Sequence, residues 1–346
     1  MWPYWVLYLV PAGFSLISFY NKPSRQFAWL FFGFLSVLII GMRYEVGSDW
    51  SAYMLYLEKT RNLDFLQSIQ LNDPGYMALN WISARLGWDM IGVNAVCGIF
   101  FITGLLKFAR QQPYSWIAVA IAVPYLLNVI VMGQQRQGVA IGFVFWALWA
   151  LTNRGFIQFT VFVTIGALFH KTAVVVFLLL FVVYRPFRWW HIFIYAPAVT
   201  LIGYLLIVDS FENYWHQYVT QEMQSEGATI RIVLNVIPVL LSIFLYSPIK
   251  NISPDFKLLK WLSIAALISV PLLITFPSST VIDRLSLYST PLQVALWPRL
   301  IAVQRDERMR ALWAIIILIF YAVILYVWFT YSDNRIHWVP YKFHEI

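Results

Sequence analysis

Arg136 sits among three glutamines in GQQRQG (133–138), and FHKTA places His170 and Lys171 as the one polar break in the apolar stretch 156–184. Arg284 in IDRLSLY, Arg43 in GMRYEVGSDWSAY and Arg231 in EGATIRIVLN are further guanidinium groups beside long apolar runs. A guanidinium is permanently charged and presents a planar fork of donors, so at a membrane–water boundary its natural partner is a phosphate or a carboxylate. Histidine titrates near neutrality and serves as a general base or holds a hydroxyl group. Gln134, Gln135, Gln137, Lys171, Asp283, Tyr288, Asp49 and Tyr53 stand within a few residues of these groups and complete a set suited to binding. Each also has a plainer reading. The glutamine turn could be a solvated loop, the arginines helix-end anchors, and His170 a satisfied structural residue. Glu45 and Asp49 could simply neutralise Arg43. Asp283 adjoins Arg284, but neighbours in a helix do not face each other, whereas Tyr288, four residues on, can share its face.

No metal or cofactor site is expected. His191, His216, His337 and His344 lack ligand-type spacing around His170, and Cys97 is alone, so it forms neither an intramolecular disulfide nor a cysteine-based metal site. HExxH, GxSxG and Walker patterns are absent, which argues against protease, hydrolase and ATPase chemistry.

The elements that must position these residues are apolar helices. Of the 346 residues 61% are hydrophobic and only 12% charged, too little charge for the surface of a soluble chain. Continuous apolar runs, rather than the short alternating segments of a β-barrel, indicate an all-α polytopic membrane protein. Candidate spans lie near 2–19, 27–42, 91–106, 115–132, 138–151, 156–169, 172–184, 192–208, 231–247, 261–277, 285–303 and 311–330. That is about 11–12 helices in a single transmembrane domain over 1–346. The opening segment, with no basic n-region or cleavage site, reads as a retained span. An amphipathic segment at about 43–90 carries Trp50, Tyr53, Tyr56, Tyr76, Trp81 and Trp88. Such rings suit a membrane interface and also stack on sugars.

Loop charge alternates. Lys22, Arg25, Lys107, Arg110, Arg154, Arg185, Arg188, Lys250, Lys257, Lys260, Arg299, Arg305, Arg308 and Arg310 fall in one set of loops, almost without acids. The net charge of +8 is therefore a signature of membrane orientation rather than of nucleic-acid binding. The positive-inside bias puts those loops in the cytoplasm and both termini outside, in the periplasm of a Gram-negative cell. It also favours a shallow hairpin over 156–184, with His170 near the external side, over one long tilted helix. The arginines, glutamines, His170 and an acidic loop at about 209–229 then converge on the outer face, where positive charge is normally depleted.

Six stretches resemble, in order, those of the Wzy-like polysaccharide polymerases of the EpsG type. MRYEVGSDWSAY is similar to their Arg-x-x-x-Gly-x-Asp-x-x-x-Tyr stretch, and NDPGYMALNWI to the Pro-Gly-Tyr element that follows. QQRQGVAIG resembles the Arg-Gln-Gly-hydrophobic-Ala element and GALFHKTAVV the Phe-His-x-Ser-Ala element, while EGATIRIVLNVIPVLL and DRLSLYST resemble the two later ones. Ser48 replaces a common Thr and Thr172 a common Ser, each keeping a hydroxyl.

The resemblance implies a GT-C-like glycosyltransferase of the bacterial inner membrane. It would polymerise oligosaccharide repeat units carried on undecaprenyl pyrophosphate at the periplasmic face, into O-antigen, capsule or exopolysaccharide, with neither metal nor nucleotide sugar. Its partners would be that lipid-linked oligosaccharide, membrane lipids and, as is common in the family, a chain-length regulator. Without a metal, fixed guanidinium groups must stabilise the departing pyrophosphate. Arg136 and Arg284 are the first choices and Arg43 and Arg231 the next, with His170 as base and Asp49 in reserve. The alternatives are an O-antigen-ligase-like transferase with the same donor, a membrane O-acyltransferase using His170, and a lipid-linked-sugar flippase or transporter.

Overall fold

A chain this apolar satisfies its backbone in a bilayer by closing hydrogen bonds within each segment, and the computed structural model is almost entirely helical. It describes residues 1–20, 26–183 and 224–344; the expected span 192–208 and most of the loop 209–229 lie outside the described residues. Helices α1 (Trp2–Tyr20) and α2 (Gln26–Gly41) lead into a two-residue strand β1 (Arg43–Tyr44). The amphipathic segment folds as α3 (Trp50–Arg61), α4 (Phe65–Gln70) and α5 (Pro74–Leu86). Then come α6 (Asp89–Ala109), α7 (Ser115–Ala122) with a π-helical continuation Val123–Val131, α8 (Gln135–Thr152) and α9 (Phe156–Phe169). A 3-10 turn (Lys171–Phe177) precedes α10 (Leu178–Val183). The rest comprises α11 (Ala228–Phe244), α12 (Tyr246–Ile252), α13 (Phe256–Thr275), α14 (Ser279–Ser286), α15 (Pro291–Ala302), α16 (Glu307–Tyr331) and a strand β2 (Lys342–Phe343).

Among the described residues, α6, α13 and α16 are each long and apolar enough to cross a membrane, and α11 with α12, bent by 96°, makes a fourth candidate. Several of the other expected spans appear as shorter apolar helices, including α2, α9 and α7 with its π-helical end. Central α8 is buried along nearly its whole length between α6 and α9. By contrast α13 and α16 expose Ile268, Ile274, Ile316 and Ile319, as helices bathed in acyl chains should.

The bundle has two unlike ends. At one end β1 pairs antiparallel with β2, Arg43 opposite Phe343. Trp2 stacks on Phe343 and the Tyr4 hydroxyl donates to the Trp338 carbonyl, so both termini lie there. At the other end the Arg299 guanidinium is buried against both Asp255 oxygens, at 2.8 and 2.9 Å, and Ser253. Lys107 and Arg110 close that end over the rings of Trp149 and Trp29. Among the described residues, the basic groups around 107–110, 255–260 and 299–310 thus collect at the end away from the termini.

Two breaks shape the first end. Pro124 has no N–H to give, and from Val123 the chain widens into a π-helix, a form that concentrates at functional sites. The second break is His170, whose extended backbone (φ −156°, ψ 111°) ends α9 and turns the following 3-10 segment back against it. The stretch 156–184 is therefore not one long helix.

Candidate active site

The first turn of α8 carries Gln135, Arg136 and Gln137 into the middle of the terminal end, and layers of polar residues build around it. In the outermost layer, Gly47 at φ +111° makes the turn that brings Arg43 inside. A Cβ there would lie 2.2 Å from the Met132 carbonyl oxygen, so only glycine fits the close approach to the start of the glutamine turn. Arg43 is fully buried and donates to Val46 O at 3.1 Å and Asn94 Oδ1 at 2.9 Å. Asn94 in turn accepts from Gln135, whose Oε1 takes the Tyr76 hydroxyl. The acids nearby do not neutralise Arg43: Glu45 pairs with Lys342, and Asp49 accepts from Ser48 and, at 3.4 Å, from Tyr53. Arg43 is a strut behind the site wall, and its Nε has no hydrogen-bond partner.

The centre is Arg136. Its Nη1 donates to Asn72 and, at 2.8 Å, to Asp73 Oδ2, while its guanidinium lies over the Tyr56 ring at 5.7 Å. Asp73 is wholly buried, and its Oδ2 is 3.7 Å from His170 Nδ1. The cause is local. Asp73 precedes Pro74 at the start of α5 but makes no side-chain cap, so its carboxylate is committed to the site instead. Gly75, two residues on, lets α5 dock onto the end of α9, for a Cβ there would come within 3.1 Å of the Leu168 carbonyl. Burial alone would raise the Asp73 carboxyl, but the neighbouring His170 ring and the charges of Arg136 and Lys171 outweigh it and hold the group below the ordinary carboxylate range.

His170 is buried, with neither ring nitrogen hydrogen-bonded. Burial lowers its pKa, Asp73 opposes that shift, and the positive charges of Arg136 and Arg284 add to it, so the imidazole is neutral at pH 7. Arg284, on α14, is tied to the centre by its backbone, whose carbonyl accepts from Gln137 at 2.7 Å. Tyr288 shares a hydrogen bond of 2.9 Å with Thr172 from the His170 turn. Arg231 stands to one side: its Nε is 2.9 Å from Asp283 Oδ1, Ser225 bridges the pair, and its guanidinium lies over Tyr125. Asp283 is thus the partner of Arg231, not of the adjacent Arg284.

Arg136, His170, Arg284, Gln137, Asp73 and Tyr288 are therefore brought together. Arg43 and Gln135 form a supporting layer, Gln134 is adjacent, and Asp49, Tyr53 and Lys171 lie at its edge. Sequence reasoning passed over Asp73, Asn72 and Asn94. The signal for Asp73 was present in NDPGY, where an acid before a helix-starting proline reads as a routine cap and turns out not to be one. No group of three or more His, Cys, Asp or Glu among the described residues could hold a metal. Chemically the centre offers a neutral imidazole within the field of two guanidinium groups, with unmatched polar atoms in a buried setting.

No curated protein and no solved structure matches the chain significantly. A family model does, over residues 26–343, which takes in every layer of this site, and the chain belongs to the EpsG family of Wzy-like polymerase-type membrane proteins.

Proposed function

We propose that the chain is a glycosyltransferase of the bacterial inner membrane that polymerises oligosaccharide repeat units carried on undecaprenyl pyrophosphate, with its site and both termini on the periplasmic face. One observation carries the reading: the positive charges of Arg136 and Arg284 both act on a buried, neutral His170 whose ring nitrogens have no hydrogen-bond partner. Membership of a polysaccharide polymerase-like family supplies the substrate class.

The donor's pyrophosphate sits against Arg136 and Arg284, which stabilise the charge that builds as the glycosidic bond breaks. Asp73 and Asn72 hold the Arg136 guanidinium, and Gln137 holds the Arg284 backbone, so both charges are placed before the donor arrives. The acceptor's sugar hydroxyl lies against His170, which takes its proton as the oxygen attacks the anomeric carbon. Tyr56, over which the Arg136 guanidinium lies, offers the sugars an aromatic face, with Tyr53 and Tyr76 buried behind it. The growing chain leaves its lipid and joins the new unit.

Reconstitution tests this directly. Purified protein in proteoliposomes, given undecaprenyl-pyrophosphate-linked repeat units on the site's face, is expected to produce a ladder of polymers and free lipid pyrophosphate. A preparation that moves the lipid across the bilayer yet forms no ladder would refute polymerisation and identify a transporter.

A further inference from the structure

Asp73 is the charged group at the centre to which the reaction above gives no task beyond holding Arg136. Its Oδ2 is shared unequally, 2.8 Å from Arg136 Nη1 and 3.7 Å from His170 Nδ1, and its Oδ1 has no partner at all. A buried carboxylate oxygen left bare, beside an imidazole left equally bare, is an arrangement one small movement short of a hydrogen bond. Catalytic hydrogen bonds are often long before substrate arrives and tighten on binding. The backbone is already in place, because Gly75 docks the start of α5 on Leu168 two residues before His170. What keeps the carboxylate away from the ring is Arg136, the group proposed above to receive the donor's diphosphate. The diphosphate and Asp73 compete for one fork of donors.

We propose that Asp73 is a positioning residue that passes from Arg136 to His170 when a diphosphate binds, so that His170 becomes an effective base only with the donor in place. This rests on the reading of Arg136 given above. As the guanidinium turns to the diphosphate, the Asp73 carboxylate accepts the Nδ1–H of His170. That fixes the tautomer whose Nε2 is bare. Nε2 then takes the proton of the acceptor hydroxyl while its oxygen bonds to the anomeric carbon. The electron pair of the broken C–O bond leaves with the diphosphate. The imidazolium, held against Asp73, returns its proton to the departing lipid diphosphate, and the site is restored. Water or an acceptor arriving alone meets a base whose orienting carboxylate is still held by Arg136.

The groups facing this pair are the cations Arg136 on α8, Arg284 on α14 and Lys171 on the 3-10 turn, with the phenols of Tyr53, Tyr56 and Tyr76 around Arg136. The chain has five histidines, so 15N-histidine labelling in lipid nanodiscs gives a small set of resonances, with His170 assigned by its loss in His170→Gln. The probe is inorganic pyrophosphate. In the unmodified protein it is expected to raise the His170 titration midpoint by about one unit or more, the size of a close charge interaction. In Asp73→Asn the midpoint should start lower and stay unmoved by pyrophosphate. In the same variant turnover should fall about 100-fold, in the range set by loss of general-base assistance, with KM nearly constant. A rise that persists in Asp73→Asn would come from the diphosphate's own charge and overturn the proposal, as would no rise in the unmodified protein, a measurement that needs no variant to fold. Ladder formation without the coupling refutes the hand-over and leaves the polymerase reading standing; coupling without ladder formation does the reverse.

Discussion

Arg136→Lys separates the two tasks that Arg136 performs. Alanine is the wrong probe, because it would strand Asp73, which has no solvent exposure. Breaking a buried ion pair from one side costs about 3–5 kcal/mol, a large part of the about 5–15 kcal/mol that holds a domain together. Loss of polymer in that variant would then report loss of protein. Lysine keeps a charge within reach of Asp73. It gives up the bond to Asn72, the planar contact with Tyr56 at 5.7 Å, and the fork itself. The lost cation–π contact is worth about 0.5–1 kcal/mol and the lost hydrogen bond about as much again, so stability should fall by about 1–2 kcal/mol. The rate should fall far more. Removing one preorganised donor from a developing anion costs about 2.7–4 kcal/mol, or about 10²–10³ in turnover. The assay is release of lipid pyrophosphate in proteoliposomes over a single turnover, normalised to protein that remains monodisperse and folded. Turnover within about threefold of the unmodified protein, well inside the expected loss, would show that Arg136 only clamps Asp73, and the pyrophosphate site would have to be sought elsewhere.

Three further outcomes follow from the same geometry. His170 has its pKa lowered from the ordinary 6.5 in the free protein, so kcat/KM should stay level as pH falls from 7 and decline only below 6.5; an acid limb centred above 6.5 in kcat/KM would contradict the burial argument, whereas kcat, read with the donor bound, follows the raised midpoint. The sign for stability agrees, since an unfolded chain takes up the proton first and native protein loses stability as pH falls below that value. Arg299→Ala, at the opposite end, should cost about 3–5 kcal/mol by stranding Asp255, seen as a lower thermal midpoint, with turnover per folded molecule unchanged. Finally, a cysteine at exposed Ser48 should react with a membrane-impermeant maleimide in intact cells, while one at exposed Asn153 should react only after permeabilisation, buried Cys97 staying silent throughout; the reverse pattern would invert the proposed orientation.

How far the sequence revealed this arrangement depends on the residue. The all-helical architecture follows from composition and from continuous apolar runs, because a bilayer leaves few other ways to satisfy a backbone. The break at His170 was legible too, since two polar residues inside an apolar stretch mark an end. The pairing was not. Arg43 lies two and six residues from Glu45 and Asp49 yet takes Asn94 from another helix, while Glu45 takes Lys342 from the far terminus. Asp283 similarly passes over its neighbour Arg284 for Arg231. Local proximity fails here because in a helical bundle side chains meet across helices, and which faces meet is set by packing, not by spacing along the chain. Asp73 escaped notice for a related reason. Its sequence context already offered a sufficient local explanation, and only the unused cap reveals that the carboxylate serves something else.

The two ends of the bundle also differ in how completely they satisfy their buried charges, and the difference is informative. Arg299 donates to both Asp255 oxygens, Ser253, Gln112 and the Ala295 carbonyl, so little is left for a ligand to complete. At the terminal end the Nε atoms of Arg43 and Arg136, Asp73 Oδ1, Gln134 Oε1 and both nitrogens of His170 lack partners. Each such atom costs about 1–3 kcal/mol if it stays unmatched, more than a fold of ordinary stability can carry several times over for no return. A structural core under selection for stability alone would shed most of them, and at the other end the buried charges are matched although Trp116 Nε1 is not. Their clustering around one arginine–aspartate–histidine centre is what a site looks like when the missing partners are supplied by a polar, anionic substrate. Sugars and a diphosphate bring the hydroxyls and charged oxygens that these atoms lack.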